Sequence, residues 1–230
     1  MFEAERKDVM NSKLTLRLSA LVSGVLFTIG YCIVIVVPGS GDTNKEKDFT
    51  KFYNSDGKML VAFLMGIALV AGALALVWFF NEVRSRLADD TPNRVAYTSM
   101  VIGAGAAAIG GAILLAPSGV QQNSDSDFVG VAIAHTFDQA GLGVMLLVGM
   151  TSLALATALF SLGAKRAGLL PSWAAWAGVV VAVVMLGSYI WLPGLLFPMW
   201  VLAFGMLLRS EPPAGLNSRE LAAPHRTDTP

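Results

Sequence analysis

The stretch AIAHTFDQAGLG, residues 132–143, combines a histidine, a carboxylate and an amide inside an otherwise apolar part of the chain. His135, Asp138 and Gln139 stand at positions i, i+3 and i+4, so a helix would place them on one face. A histidine beside a carboxylate can make a pH-sensitive element without any catalysis. The spacing therefore predicts a candidate polar patch.

Two interpretations of this patch stay open at the sequence level. In the first, His135 and Asp138 form a local ion pair or surface contact where a helix meets water. In the second, they form a proton-responsive or ligand-contacting patch that faces a shallow outer cavity. The second interpretation has general support because ionisable residues in membrane segments are often functional.

Metal binding and nucleophilic catalysis would each need more suitable residues than this sequence offers near His135 and Asp138. A histidine and an aspartate supply only two metal ligands, so Asp125 or Asp127 would have to complete a metal site. Nucleophilic catalysis lacks a second histidine or a lysine in the apolar region. We therefore expect no catalytic residues, no metal and no cofactor.

The composition is that of an integral membrane protein. Of 230 residues, 55% are hydrophobic and only 14% are charged, with a mean hydropathy of +0.63, against roughly 25% charged residues in soluble domains. The partner implied is the lipid bilayer, and zero net charge gives no reason to expect nucleic acid binding.

The apolar residues form six blocks. A segment that crosses lipid must satisfy its own backbone hydrogen bonds, so blocks of this length predict helices. The expected fold is an all-α, polytopic bundle of six transmembrane helices over residues 18–209, between an N-terminal segment, residues 1–17, and a disordered tail, residues 210–230. The blocks are residues 18–37, 59–80, 95–116, 128–163, 173–192 and 195–208.

The fourth block, with 36 residues, is longer than a bilayer requires. A straight helix would carry His135 and Asp138 out of the hydrocarbon. Alternatively, Gly141 and Gly143 could bend the chain, so that residues 125–139 form a separate outer helix with Phe137 toward apolar surface. The sequence does not decide between these geometries.

The distribution of lysine and arginine predicts the orientation. Twelve of these residues fall in the N-terminal segment, the second and fourth connections and the tail, whereas four fall in the first connection. Because basic residues are enriched on the cytoplasmic side, we expect a multi-pass protein of the cell membrane with both termini cytoplasmic.

The third block contains small residues at a spacing of four. Gly103, Ala107 and Gly111 would share one helix face and allow another helix backbone to approach closely. This face could serve packing within the chain, association with a membrane protein partner, or self-association.

The last part of the chain contains the basic turn AKRAGLLPSWAAW, an aliphatic helix after it, and a proline-containing turn before a short last helix that ends in arginine. In these features it resembles a bacterial family of six-helix integral membrane proteins of unknown function (a DUF4386-like family). It implies a six-helix fold and no catalytic residues.

Together these observations lead to two functional hypotheses. The first is a non-enzymatic membrane protein that acts as an accessory or sensory component of a membrane assembly. The alternative is a small-solute or proton-coupled carrier, with His135 and Asp138 lining its outer entry.

Overall fold

A computed structural model describes residues 2–37, 51–53, 55–123, 131–187 and 192–209. Within these ranges the chain is helical, with short turns and no strand. This confirms the all-α prediction for the described part of the chain. Met1, residues 38–50, 54 and 124–130, residues 188–191 of the predicted fifth block, and the predicted disordered tail, residues 210–230, lie outside the described residues.

Six main helices follow one another within the described ranges. The fourth is continuous but changes its hydrogen-bonding pattern: Val131–Leu142 is α-helical, Gly143–Met150 is π-helical and Thr151–Arg166 is α-helical again. The bounds are α1 (Phe2–Tyr31), α2 (Asp56–Arg84), α3 (Thr91–Asn123), α4 (Val131–Arg166), α5 (Ser172–Met185) and α6 (Leu196–Leu207), with a single turn at Ile33–Val36 after α1 and a 3₁₀ turn at Leu192–Leu195 before α6.

Four of the helices are long and apolar enough to cross a membrane: the spans are Leu14–Tyr31, Asp56–Arg84, Thr91–Gly119 and Ala132–Arg166. The α5 and α6 helices have 14 and 12 residues, or roughly 21 and 18 Å of helix. The structure thus confirms apolar spans of membrane length. Residues 2–17, predicted only as an N-terminal segment, are helical and extend the first span.

Consecutive helices pack against each other, and α6 returns to α1 to close the bundle. Large aromatic side chains fill the centre because they bury much apolar area and pack in edge-to-face and tilted pairs. Ring centroids lie 5.4 Å apart for Phe27 and Phe197, 4.7 Å for Phe80 and Phe160, and 4.7 Å for Trp200 and Phe204. This cluster joins α1, α2, α4 and α6.

The two ends of the bundle differ in charge. One end, called here the arginine end, carries the last turn of α2, the start of α3 and the end of α4, with Arg84, Arg86, Arg94, Lys165 and Arg166. The other, called here the Asp138 end, carries the end of α1, the start of α2 and the first turns of α4. The candidate residues predicted from the sequence lie there.

Candidate functional site

Asp138 is buried at its end of the bundle, with 3% of its surface exposed. It shares the buried face of α4 with Ala134, Gly141 and Met145, which packs against α3. His135 is half-buried and Gln139 is exposed. The Gln139 Nε2 donates a hydrogen bond of 3.3 Å to the Asp138 Oδ2. The structure therefore joins two of the three predicted residues directly, with the carboxylate facing inward.

Sequence reasoning missed a second part of this site, the short segment 51–53. Phe52 and Tyr53 are each 2% exposed, and their rings pack edge to face with centroids 5.1 Å apart. The Tyr53 side chain is hydrogen-bonded to the buried side chain of Ser118 on α3 and lies within electrostatic range of Asp138. Tyr53, Ser118, Asp138 and Gln139 are called the Asp138 cluster below.

The environment of Tyr53 holds its phenol neutral. Burial, reinforced by the negative charge of Asp138, raises the pKa of Tyr53 to about 12, while the hydrogen bond with Ser118 acts in the opposite direction. Removing the phenol from water disfavours its charged form, and a nearby carboxylate adds to that penalty. At neutral pH the cluster thus contains an uncharged hydroxyl next to a buried carboxyl group.

The π-helical segment of α4 explains why Asp138 faces inward. On a continuous helix of about 3.6 residues per turn, the buried positions 134, 138, 141 and 145 would be followed by positions near 149, 152, 156 and 159. The buried pairs of the following turns instead centre about one residue after these expected positions. They are 149–150, 153–154, 156–157 and 160–161. A π-helix accommodates such a surplus residue, so both halves of α4 present their small-residue face to α3.

Glycines set the distance between α3 and α4 beside the cluster. A Cβ atom added to Gly110 would lie 2.7 Å from the Gly141 carbonyl oxygen, and one added to Gly141 would lie 2.7 Å from the Gly110 carbonyl oxygen. Real side chains do not approach so closely, so the two backbones are in direct contact. This contact holds the first turns of α4, and with them Asp138, against α3.

The predicted small-residue face of α3 contacts two different neighbours. Gly103 lies against Leu153 of α4, and Ala107 is fully buried next to Gly149. Gly111 lies against Leu69 of α2. All three residues are thus placed at contacts within one chain.

Among the residues that the structure describes, no three histidine, cysteine, aspartate or glutamate side chains lie close enough together to hold a metal ion. Asp125 and Asp127, which a metal site at His135 and Asp138 would need, lie outside those residues. The chemistry that the described cluster can perform is proton binding and hydrogen bonding.

The raised pKa of Tyr53 predicts a specific loss of stability in alkali. Unfolded tyrosine ionises near pH 10, whereas folded Tyr53 retains its proton to about pH 12. The stabilising contribution is complete below about pH 10 and is lost as the pH rises through about 12. We expect Tyr53→Phe to reduce the alkaline loss of unfolding free energy by about 1 kcal/mol.

This expectation can be checked by thermal unfolding of the purified protein between about pH 9 and about pH 12. Tyr97→Phe is the matched control, because Tyr97 is a half-buried tyrosine at the arginine end, and it should keep the wild-type alkaline slope. Equal slopes for wild type and Tyr53→Phe would contradict the burial of the phenol.

Comparison of the chain with protein-family models, with curated proteins and with solved structures gave no match. The resemblance of residues 161–210 to a bacterial six-helix family therefore stays a prediction.

Proposed function

We propose that the chain is a non-enzymatic, multi-pass protein of the cell membrane that senses protons through the Asp138 cluster and acts as an accessory or sensory component of a membrane assembly. In this proposal six helices cross the membrane and both termini are cytoplasmic. The arginine end faces the cytoplasm, and the Asp138 end faces the outside.

The packing of the last two helices supports six crossings. Gly194, in the connection between α5 and α6, lies against the side chain of Tyr31, the last residue of α1. The hairpin therefore extends from the arginine end to the level at which the first span ends. The concentration of arginines at the other end supports the cytoplasmic placement of the termini.

The burial of Asp138 is the observation that carries the proton-sensing proposal. A charged carboxylate in an apolar interior is costly unless it is paired or takes up a proton. Tyr53 lies within electrostatic range of Asp138, His135 stands one turn earlier on α4, and the exposed Lys51 belongs to the same short segment as Tyr53. The facing part of α3, residues 107–119, has no ionisable side chain.

This arrangement couples proton binding to the docking of segment 51–53. With a proton on Asp138, the cluster is neutral and Tyr53 packs against Ser118 at no electrostatic cost. Loss of that proton leaves a negative charge buried in the cluster, and release of the segment would admit water to that charge. The exposed surface at this end would then change with the external pH.

The substitution Asp138→Asn tests the proposal because it preserves the shape of the side chain and removes its charge. We expect wild-type protein in lipid nanodiscs to unfold at a temperature about 3 °C or more lower at pH 9 than at pH 5, and the variant to lose this difference. Asp56→Asn is the matched control, since Asp56 is exposed at the same end of the bundle. An unchanged pH profile in Asp138→Asn would refute proton sensing by this residue.

The carrier hypothesis is a second candidate, favoured by the position of Asp138 next to the π-helical segment. Irregular helix segments beside a buried charge are typical of ion sites in transporters. A carrier should dissipate an imposed pH or solute gradient in proteoliposomes, and Asp138→Asn should stop it. A sensor should leave the gradient intact in both proteins.

A further inference from the structure

A small pocket lies at the arginine end, where the last turn of α2 leads into the connection to α3. It has a volume of ≈ 260 Å³, somewhat below the roughly 300–1,000 Å³ of sites for drug-sized ligands. The size suits a small polar group. Its lining residues are Asn81, Arg84, Ser85, Leu87, Ala88 and Asp89.

The Arg84 guanidinium is fixed in this pocket with hydrogen-bonding capacity to spare. It lies 5.0 Å from the centre of the Tyr97 ring, a cation–π contact that sets its position. The Arg84 Nη2 lies 4.0 Å from the Asp89 Oδ1, which is too long for a hydrogen bond. Within the described part of the chain it makes no hydrogen bond, and its side chain is 40% exposed.

Asp89 supplies a negative charge in the same pocket. Its carboxylate accepts two hydrogen bonds from Arg94, of 2.9 Å from Nε and 2.8 Å from Nη2. Hydrogen bonding to Arg94 and the charge of that guanidinium lower the pKa of Asp89, so it is ionised at neutral pH. The pocket thus presents a cation and an anion 4.0 Å apart, and the same carboxylate is paired with Arg94.

The pocket lies at the end of an apolar span, where a bilayer around that span would have its headgroups. It adjoins the end of a 29-residue apolar span, and Trp78, six residues before Arg84 on the same helix, is 62% exposed. Tryptophan is enriched at the boundary between hydrocarbon and water. A ligand with acyl chains could therefore place its headgroup in the pocket and its chains along α2.

We propose that this pocket binds the headgroup of a zwitterionic phospholipid with a primary amine, phosphatidylethanolamine. Its phosphodiester accepts hydrogen bonds from Arg84, because a guanidinium pairs well with phosphate oxygens. Its ammonium group donates to the exposed side of the Asp89 carboxylate. This site is separate from the Asp138 cluster and does not depend on the proposed function.

The order of lipid preference follows from the two charges. Phosphatidylglycerol satisfies Arg84 but has no ammonium for Asp89, and phosphatidylcholine has an ammonium without N–H donors. We expect native mass spectrometry of the detergent-solubilised protein to show about threefold more bound phosphatidylethanolamine than either competitor from equimolar mixtures, the size expected for a partly exposed ion pair.

Three variants separate the contributions to this preference. Arg84→Gln should lower the binding of all three lipids by about threefold, whereas Asp89→Asn should lower only phosphatidylethanolamine binding, to the level of the other two lipids. Arg86→Gln is the control, since Arg86 already bonds Glu82 at 3.0 Å one helical turn away, and it should resemble wild type. Circular dichroism should confirm that each variant is folded.

Two outcomes would overturn the proposal. One is equal binding of the three lipids by wild type with no effect of Arg84→Gln. The other is displacement of the bound lipid by millimolar glycerophosphoethanolamine, which would identify a free headgroup, rather than a membrane lipid, as the ligand.

Discussion

Deletion of Leu147 is expected to leave the protein folded, whereas deletion of Leu74 is expected to abolish folding. Both leucines lie within long helices and are similarly exposed, at 71% and 69% of their surfaces. Leu147 lies in the π-helical segment of α4, and Leu74 lies in the regular helix α2. The lost apolar surface is therefore comparable, and the difference should arise from helix register alone.

In α4 the deletion removes the surplus residue that the π-helix accommodates. The segment can then close as an ordinary α-helix, while Asp138 and Phe160 both keep their inward orientation. In α2 one missing residue rotates the following turns by about 100°. That rotation would carry Phe79, Phe80 and Val83, all fully buried, away from the core.

Size-exclusion chromatography and thermal unfolding in mild detergent can measure both variants. We expect the Leu147 deletion to elute as wild type, with an unfolding free energy within about 1 kcal/mol of it, and the Leu74 deletion to aggregate. If both deletions were equally damaging, the π-helical segment would not be absorbing an extra residue.

A second large effect is expected from Gly110→Ala. The added Cβ would lie 2.7 Å from the Gly141 carbonyl oxygen and 2.8 Å from the Met145 nitrogen. These are backbone atoms that cannot turn aside, so α3 and α4 must separate. Overpacking of this kind costs about 1–3 kcal/mol, and we expect the upper end of that range because the displaced atoms belong to the backbone.

Gly105→Ala is the matched control on the same helix. A Cβ at Gly105 meets nothing within 4 Å, and alanine favours the helix over glycine by up to about 1 kcal/mol. Unfolding free energies in detergent should therefore move in opposite directions for the two variants. A neutral or stabilising Gly110→Ala would show that α3 and α4 are farther apart than described here.

The helices of this fold follow directly from the chain's hydropathy, and their orientation about their own axes does not. Blocks of some 20 apolar residues have few alternatives to helices in lipid, which is why the block at 59–80 matches α2. The block at 95–116 ended too early, because α3 continues through Pro117 to Asn123. Block length says nothing about which face of a helix is buried.

At the candidate site, the face of α4 that is buried could not be read from the length of the apolar block. Local spacing grouped Asp138 with Gln139, whose side chains are hydrogen-bonded. The bend considered at Gly141 and Gly143 differs from the structure, because α4 runs without a break from Val131 to Arg166. The one-residue offset introduced by the π-helix determines that Asp138 faces inward. No property of GVMLLVGM distinguishes it from an ordinary apolar helix.

Tyr53 was missed for a different reason. Its segment lies in a connection rich in polar and charged residues, which favours a solvated loop. The only signal was the aromatic pair Phe52 and Tyr53 within that polar stretch. Its contact with Ser118 joins residues far apart in sequence, and local patterns contain no information about such pairs.

The unequal lengths of the helices have a consequence for the surrounding lipid. The α4 helix reaches about 50 Å, and α5 only about 21 Å, while bilayer hydrocarbon is about 30 Å thick. If α5 and α6 cross the membrane as proposed, acyl chains beside these shorter helices would shorten or tilt more than those near α4. The protein would then impose a gradient of hydrophobic thickness around its circumference, and it would reside at the lowest elastic cost in thin regions of membrane.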